Sequence, residues 1–326
     1  MFNFDYAALR ATSPSFSLSG DEWVGIYFQD QITLWDKLHL LGGGRYDWAG
    51  RRSSFSTISF ADAEANEDTR TDRKFSPRVG LLYQLWSWLS LYGNYVESLG
   101  SNNGRDSTGR ALDPQLATQY EVGAKTEFFD GRLNATLAFY HLTKENLPAA
   151  DLSTPDPFDS VTIGEARSRG VEFDVSGQIT DRLSVIGSYS YIDAKITRDP
   201  QQDDAGNPLP GNQGHKLPGA PRHSGSLWAK YALIPERLDV GAGVFAAGQR
   251  QGDFANTFQL PGYVRLDAYA AYHWKIGPTR LTAQVNINNL LDKEYFLSAN
   301  EFNGNSRAAI FPGEPLTVLG SLRLEF

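Results

Sequence analysis

The sequence predicts an all-β fold, an antiparallel transmembrane β-barrel, and three observations predict it. Apolar and polar residues alternate with a period of two along most of the chain, the alternating runs are long, and short and long connections take turns between them. A period of two belongs to strands with one wet and one dry face, because successive side chains point to opposite sides. Soluble strands cluster near ~5–6 residues, whereas a tilted membrane strand needs ~9–11.

Along the chain, strands are predicted at 21–33 and 37–48, joined by Leu34-Trp35-Asp36. Gly42-Gly43-Gly44 falls inside the second, where glycine eases curvature, and precedes no helix that would make it a phosphate loop. Strands at 73–85 and 88–98 flank a tight turn bearing Trp86 and Trp88. Tyr120, Val122, Ala124 and Phe128 alternate with Glu121, Gly123, Lys125 and Glu127 in a strand at 117–129. Across Asp130-Gly131, Leu133, Ala135, Leu137 and Phe139 mark 132–145. Val171, Phe173 and Val175 against Glu172, Asp174 and Ser176 mark 166–179, which turns at Thr180-Asp181 into 182–197. Strands at 222–233 and 237–248 meet at Ile234-Pro235-Glu236, and 262–275 meets 280–297 at Ile276-Gly277-Pro278-Thr279. The last strand, 315–326, carries Val318, Gly320, Leu322, Leu324 and Phe326 on one parity. About thirteen strands result, with 1–20 as a partial extracellular loop and 21–326 as barrel. The long connections 49–72, 99–116, 146–165, 198–221, 249–261 and 298–314 all fall at one end of the sheet and the short turns at the other. Outer-membrane barrels are arranged so, with periplasmic turns and extracellular loops.

Charge sorting and aromatic placement separate lipid from protein as the medium on the dry face. Arg45, Glu121, Lys125, Asp174, Arg265, Asp267 and Arg323 take the wet parity, and Asp30 is the one ionised side chain read onto the dry parity. It lies four residues before a turn, where a charge costs about 0–1 kcal/mol against roughly 2–4 at the bilayer midplane. On the dry parity Tyr83, Phe128, Tyr231, Tyr272 and Trp274 fall near the turn end, and Tyr46, Tyr95, Phe139, Tyr189 and Tyr191 toward the loop end. Two aromatic belts with Leu, Val and Ala between them match interfacial girdles. A soluble β-sandwich binding protein is the alternative, with a second sheet on the dry face.

Composition narrows the function classes. With 41% hydrophobic and 13% aromatic residues among 326, the chain is not of the disordered type. Thirty basic and 38 acidic residues give a net charge of −8, which argues against a nucleic-acid partner. No cysteine is present, so thiol catalysis, disulfides and thiolate metal sites are excluded. His39, His141, His215, His223 and His273 show no metal-ligand spacing, and no G-x-S-x-G nucleophile motif occurs. Neither an enzyme nor a directly bound cofactor is expected. Met1-Phe2-Asn3-Phe4-Asp5 lacks the basic and apolar regions of a secretory signal.

Eight stretches resemble, in order, the C-terminal half of TonB-dependent outer-membrane siderophore receptors of the ferric-hydroxamate and pyoverdine type. They are Gly25-Ile26-Tyr27-Phe28-Gln29-Asp30, Gly43-Gly44-Arg45-Tyr46-Asp47, Phe75-Ser76-Pro77-Arg78-Val79-Gly80 and Tyr120-Glu121-Val122-Gly123-Ala124-Lys125 with Phe129-Asp130-Gly131-Arg132-Leu133. Gly164-Glu165-Ala166-Arg167-Ser168-Arg169-Gly170-Val171-Glu172, Leu217-Pro218-Gly219-Ala220-Pro221-Arg222, Asn288-Asn289-Leu290-Leu291-Asp292-Lys293-Glu294-Tyr295 and the final Phe326 complete the set. The resemblance implies a barrel of about 22 strands closed by an N-terminal plug, located in the Gram-negative outer membrane and importing ferric siderophores with energy drawn through TonB. Against that pattern the plug, the TonB box and about nine strands are missing, Met1 falls within an extracellular loop, and first and last strands run the same way. A fragment is therefore expected.

The resemblance also assigns candidate residues. Ferric siderophore, the transported ligand, meets lumen-facing aromatics near the loop end, for which the wet-parity residues Tyr92, Tyr140, Trp228, Phe245 and Tyr263 are candidates, with Phe311 in the last long loop. Lumen packing or plug contact is the other reading for each. Leu322, Leu324 and Phe326 resemble the terminal signal read by the barrel-assembly machinery. Further expected partners are outer-membrane lipid and lipopolysaccharide, with the TonB complex reached only through the N-terminal region. A passive porin-like channel is the third class, sharing the girdles but not the receptor motifs.

Overall fold

The computed structural model describes residues 16–102, 106–151, 160–199, 211–300 and 309–326. Thirteen strands form one antiparallel sheet, each paired with its neighbours in sequence. They are β1 (Phe16–Leu34), β2 (Leu38–Ser56), β3 (Asp68–Trp86), β4 (Leu89–Gly100), β5 (Gln115–Phe128), β6 (Leu133–Ala150), β7 (Ser160–Gln178), β8 (Leu183–Arg198), β9 (His223–Ile234) and β10 (Leu238–Ala247). The tiny pair β11 (Arg250–Gln251) and β12 (Gln259–Leu260) stands apart. β13 (Tyr263–Ile276) and β14 (Thr279–Asn288) resume the sheet, β15 (Phe296–Asn300) and β16 (Ala309–Pro312) form a separate hairpin, and β17 (Thr317–Glu325) ends the sheet. Among the described residues β1 and β17 each have a strand on one side only, and both run from the long-loop end to the turn end.

The turns explain themselves locally. Trp35 and Asp36 both take positive φ (52° and 57°), as do Phe129, Asp130 and Gly131, the left-handed geometry that matches strand twist in tight hairpins. Glu236 and Gly277 do the same at the turns after β9 and β13.

Several expected boundaries change, among them the connection 146–165, which β6 (to Ala150) and β7 (from Ser160) shorten, and the connection 298–314, which carries the β15–β16 hairpin. The connection 49–72 is mostly strand: β2 runs on to Ser56 and β3 starts at Asp68, leaving a short link with the helix α1 (Phe60–Ala65). Ser59 caps α1 by accepting the Asp62 amide at 3.1 Å. Arg51, Arg52, Ser53 and Ser54 hide this extension, because beyond the lipid no apolar medium lies on one face to impose an alternation. The predicted strand 280–297 stops at Asn288, since Asn289 and Asp292 adopt left-handed φ (52° and 47°). β1 begins at Phe16, inside the span 1–20 expected as loop, and residues 1–15 lie outside the described residues.

Burial is inverted relative to a water-soluble core. Tyr120, Val122 and Leu322 are 56%, 60% and 77% exposed, while Asp47, Asp267 and Asn289 are at most 5% exposed. The register places Val79, Tyr95, Tyr120 and His141 along one outward row and Leu91, Ala124, Leu137, Phe173 and Tyr189 along another. Aromatics cluster where the belts are expected: Trp86, Trp88 and Phe128 stack in series at 5.3 and 5.7 Å near the turns, with Tyr272 on Trp274 at 4.5 Å. Tyr46–Trp48 and Tyr95–Tyr120 lie at 4.6 and 4.9 Å toward the loops. Asp30 is opposite Gly42 on the outward parity, near the turn, and accepts the Gln31 amide at 2.9 Å. It is not alone there. Arg167 and Arg169 on β7 and Asp193 and Lys195 on β8 share the outward parity with Val171 and Tyr191, beyond the aromatic row. Charge at that depth meets headgroups rather than hydrocarbon, so the sorting holds only between the belts.

Candidate ligand-facing wall

The inward face of β9, β10 and β13 carries a connected aromatic and cationic wall. Trp228 on β9 stands opposite Gly243 on β10, and Tyr269 on β13 opposite Gly241. Each ring lies over its glycine: a Cβ at Gly243 would meet the indole at 2.5 Å, and one at Gly241 would overlap the Tyr269 ring. Trp228 also contacts Phe245 edge-on at 6.4 Å and Tyr269 at 6.0 Å. The Arg265 guanidinium sits 4.7 Å from the Phe245 ring centre, donates to Asp267 Oδ2 at 2.8 Å and to Tyr295 Oη at 3.1 Å. Tyr295 stacks on Tyr263 at 4.4 Å, and Arg250 lies over the other side of that cluster, 5.7 Å from the Tyr263 ring. Arg250 is 5% exposed and donates to the carbonyls of Phe296 and Leu297, tying the β15–β16 hairpin to the barrel mouth. A cation against an aromatic face is worth ≈ 0.5–1 kcal/mol exposed and about 2 when desolvated.

Asn289 holds this wall to the last loop. Its amide nitrogen donates to the carbonyls of Lys293 and Glu314 (3.0 and 2.9 Å), its side-chain oxygen accepts the Lys293 amide (2.9 Å), and its own amide donates to Asp267 (2.8 Å). Asp292 accepts the Leu316 amide at 2.9 Å. The run Asn288–Tyr295 is thus a left-handed turn whose side chains satisfy backbone groups, ending on a buried tyrosine.

Of the sequence-predicted residues, Trp228, Phe245 and Tyr263 belong to this wall. Tyr92 and Tyr140 do not. Tyr92 is the fourth residue of β4, about 10 Å from the turn by strand rise. That puts it in the turn half of the sheet, not at the loop end as expected. Its hydroxyl donates to Glu121 at 2.8 Å, Lys125 lies 5.2 Å from its ring, and the ring covers Gly123. Tyr140 covers Gly170 on β7 and bonds Ser168 at 3.2 Å. Phe311 lies in β16, paired with Ser298 and 42% exposed. Arg250, Arg265 and Tyr295 carry as much of the wall as the expected aromatics. The signal for Arg265 was its wet parity two residues from Tyr263, whereas loop residue Arg250 follows no period. A second polar patch joins Trp23, Arg45 and Asp47: the indole and the Arg45 guanidinium both donate to Asp47, at 2.8 and 2.5 Å.

An antiparallel sheet that is apolar outside, polar within and belted by aromatics defines an outer-membrane β-barrel protein. The chain belongs to the TonB-dependent receptor β-barrel family, whose profile, described as TonB dependent receptor-like, beta-barrel, matches residues 2–290. It is 35% identical over 307 residues to the metal-pseudopaline receptor CntO of Pseudomonas aeruginosa, covering 93% of this chain and 41% of that protein. It is 32% identical over 301 residues to the ferrichrome outer membrane transporter/phage receptor of Escherichia coli, covering 91% and 38%. The crystal structure of the siderophore receptor PiuA from Acinetobacter baumannii superposes with a TM-score of 0.77 at 26% identity, over 94% of this chain and 44% of that one. The chain spans about two fifths of the length of the curated relatives it matches.

Proposed function

We propose that this chain forms part of the barrel wall of an outer-membrane receptor that takes up ferric siderophores, energised through TonB contacts made by an N-terminal region. The observation that carries the reading is the lumen wall at the loop end: Trp228, Phe245, Tyr263 and Tyr295 interleaved with Arg250 and Arg265 in a barrel of the receptor family. Flat rings offer a bulky chelate contact area at low entropy cost, and Arg250, buried on the Phe296 and Leu297 carbonyls, and Arg265, engaged by Asp267 and Tyr295, hold those rings in place. The family consists of receptors and transporters, which suits a wall built to bind rather than to react. Leu322 and Leu324 on the outward parity of β17, with Phe326 just past its end, are 77%, 51% and 97% exposed and fit an assembly signal offered to the barrel-assembly machinery. The test is uptake of radioactive iron chelates by a siderophore-receptor-deficient strain expressing the gene. TonB-dependent, saturable uptake is expected; leak of small sugars without saturation would favour a porin instead.

A further inference from the structure

A cleft of about 680 Å³ opens at the turn end of the sheet, far from the aromatic wall. β10 begins its pairing with β13 at Leu238–Tyr272, whereas β13 and β14 stay paired as far as Ile276–Thr279. The β13–β14 hairpin therefore projects about 13 Å past its neighbour, and the turn at 235–237 forms the other side of the notch. Arg237, Lys275 and Arg280 line it, all exposed and none in an ion pair among the described residues, with Glu236 as the carboxylate beside them. Two further acids on this face are already engaged: Asp239 by Lys230 at 2.8 Å and by His273 at 3.3 Å, Glu325 by Arg323 at 2.8 Å. Lys275 and Arg280 stand directly opposite each other on the inward parity, while Trp274 and Leu281 take the outward one, so the cations face the lumen rather than lipid. On the same face of β14, Asn288, Asn286, Gln284 and Thr282 lead from the wall to Arg280, a run of about 27 Å with no charged side chain. Gln284 donates to Asn286 at 2.7 Å, and the Asn289 amide next to that run is bonded to Asp267 of the wall at 2.8 Å.

We propose that Arg237, Lys275 and Arg280 form an exit site for polycarboxylate iron chelates at the periplasmic mouth of the lumen, reached along the amide track of β14. The two ends of the lumen treat charge differently. Arg250 and Arg265 at the loop end are engaged by carbonyls, a carboxylate and a phenol, whereas the turn-end cations are free. Free cations in a cleft with low-dielectric walls focus the field and raise the local concentration of anions. Each guanidinium can hold a carboxylate through two parallel donors, and the cleft has the volume of a small-molecule site. The wall thus selects by contact area and the mouth by charge. The site rests on the uptake reading above and adds to it a step that discriminates charge where the chelate leaves.

The test uses protein purified from outer membranes in detergent, with ferric citrate as the anionic probe and ferrichrome as an uncharged trihydroxamate. Trp274 lines the cleft, so a chelate bound there quenches its fluorescence. Ferric citrate should produce a salt-sensitive quenching phase, weakened at least tenfold between about 50 and about 500 mM NaCl, and ferrichrome should not. Trp274→Phe should remove the signal while equilibrium dialysis with radioactive iron still reports the bound chelate. Arg237→Gln/Lys275→Gln/Arg280→Gln should lose both signal and binding, and Glu236→Gln should tighten binding, a gain that misfolding cannot produce. No salt-sensitive phase in wild type, the same phase in the triple variant, an equal phase with ferrichrome, or displacement by tetraglutamate at lower concentration than by citrate would overturn the proposal. Iron-chelate uptake measured in parallel keeps the two readings apart: uptake without this phase sinks only the exit site, and no uptake of any chelate sinks the receptor reading.

Discussion

Arg265 has three partners at once, the Phe245 ring, Asp267 and Tyr295, so its removal dismantles the wall rather than one contact. Arg265→Ala should weaken ferric-siderophore binding about tenfold, or roughly 1.4 kcal/mol. Arg265→Lys should recover only part, because an ammonium lacks the fork that reaches two acceptors. Equilibrium binding to the receptor in detergent decides it, and unchanged affinity in both variants would remove this wall from the binding site. Phe311 tests a different point. Its ring is half open at the barrel mouth, so Phe311→Ala should cost affinity without altering thermal unfolding; equal affinity would leave it a loop residue only. At this scale the sequence was partly legible. Parity alone pointed Trp228, Phe245 and Tyr263 inward, but whether a ring reaches a ligand or lies flat on the wall depends on its cross-strand neighbours. Tyr92, Tyr140 and Trp228 all lie over a glycine opposite, and only the register shows that Trp228 alone of the three also meets further inward rings, Phe245 and Tyr269.

Those ring-on-glycine pairs recur from strand to strand and act at the scale of the element. Tyr92–Gly123, Tyr140–Gly170, Trp228–Gly243 and Tyr269–Gly241 are each directly opposed across neighbouring strands of the inward face. Glycine leaves room for the ring to fold down over the next backbone, which covers the ladder and pins the register. Gly243→Val forces the indole away and should destabilise by about 1–3 kcal/mol, read as a lower midpoint in urea unfolding from detergent. The double variant Gly243→Val/Trp228→Ala should recover part of that loss; no recovery would show that the cost lies in the backbone instead. Asn289→Ala removes the bonds that join β14 to the last loop and should speed protease cleavage within 289–316 while leaving the sheet intact. The strands of this fold were readable because one face meets an apolar medium and imposes a period. Where the hairpins rise beyond lipid, as at 49–56 and 68–72, both faces are polar, and the period that announces a strand disappears.

For the molecule as a whole, the decisive question is what covers the outward face. Val122 sits near the middle of β5 on that face, 60% exposed, with Phe139 and Gly93 opposite it. Were water the medium, Val122→Arg would change stability by no more than about 0.5 kcal/mol, as surface substitutions usually do. In hydrocarbon the same change should cost more than about 1 kcal/mol, rising toward roughly 2–4 the nearer the guanidinium lies to the midplane. Thr136→Arg on β6 is the matched control: its neighbour across the strands is Lys125 on one side and Asp174 on the other, so it projects into the lumen. The lumen variant should unfold within about 1 kcal/mol of wild type in lipid vesicles, since a nearby carboxylate and water both stay within reach. Unfolding by denaturant from vesicles of two acyl lengths measures both. A penalty confined to Val122→Arg establishes lipid contact on one parity and an aqueous interior on the other, the inside-out division on which a route for a polar chelate depends. Equal tolerance of both substitutions would place water or protein on the outward face and remove the barrel wall from the membrane.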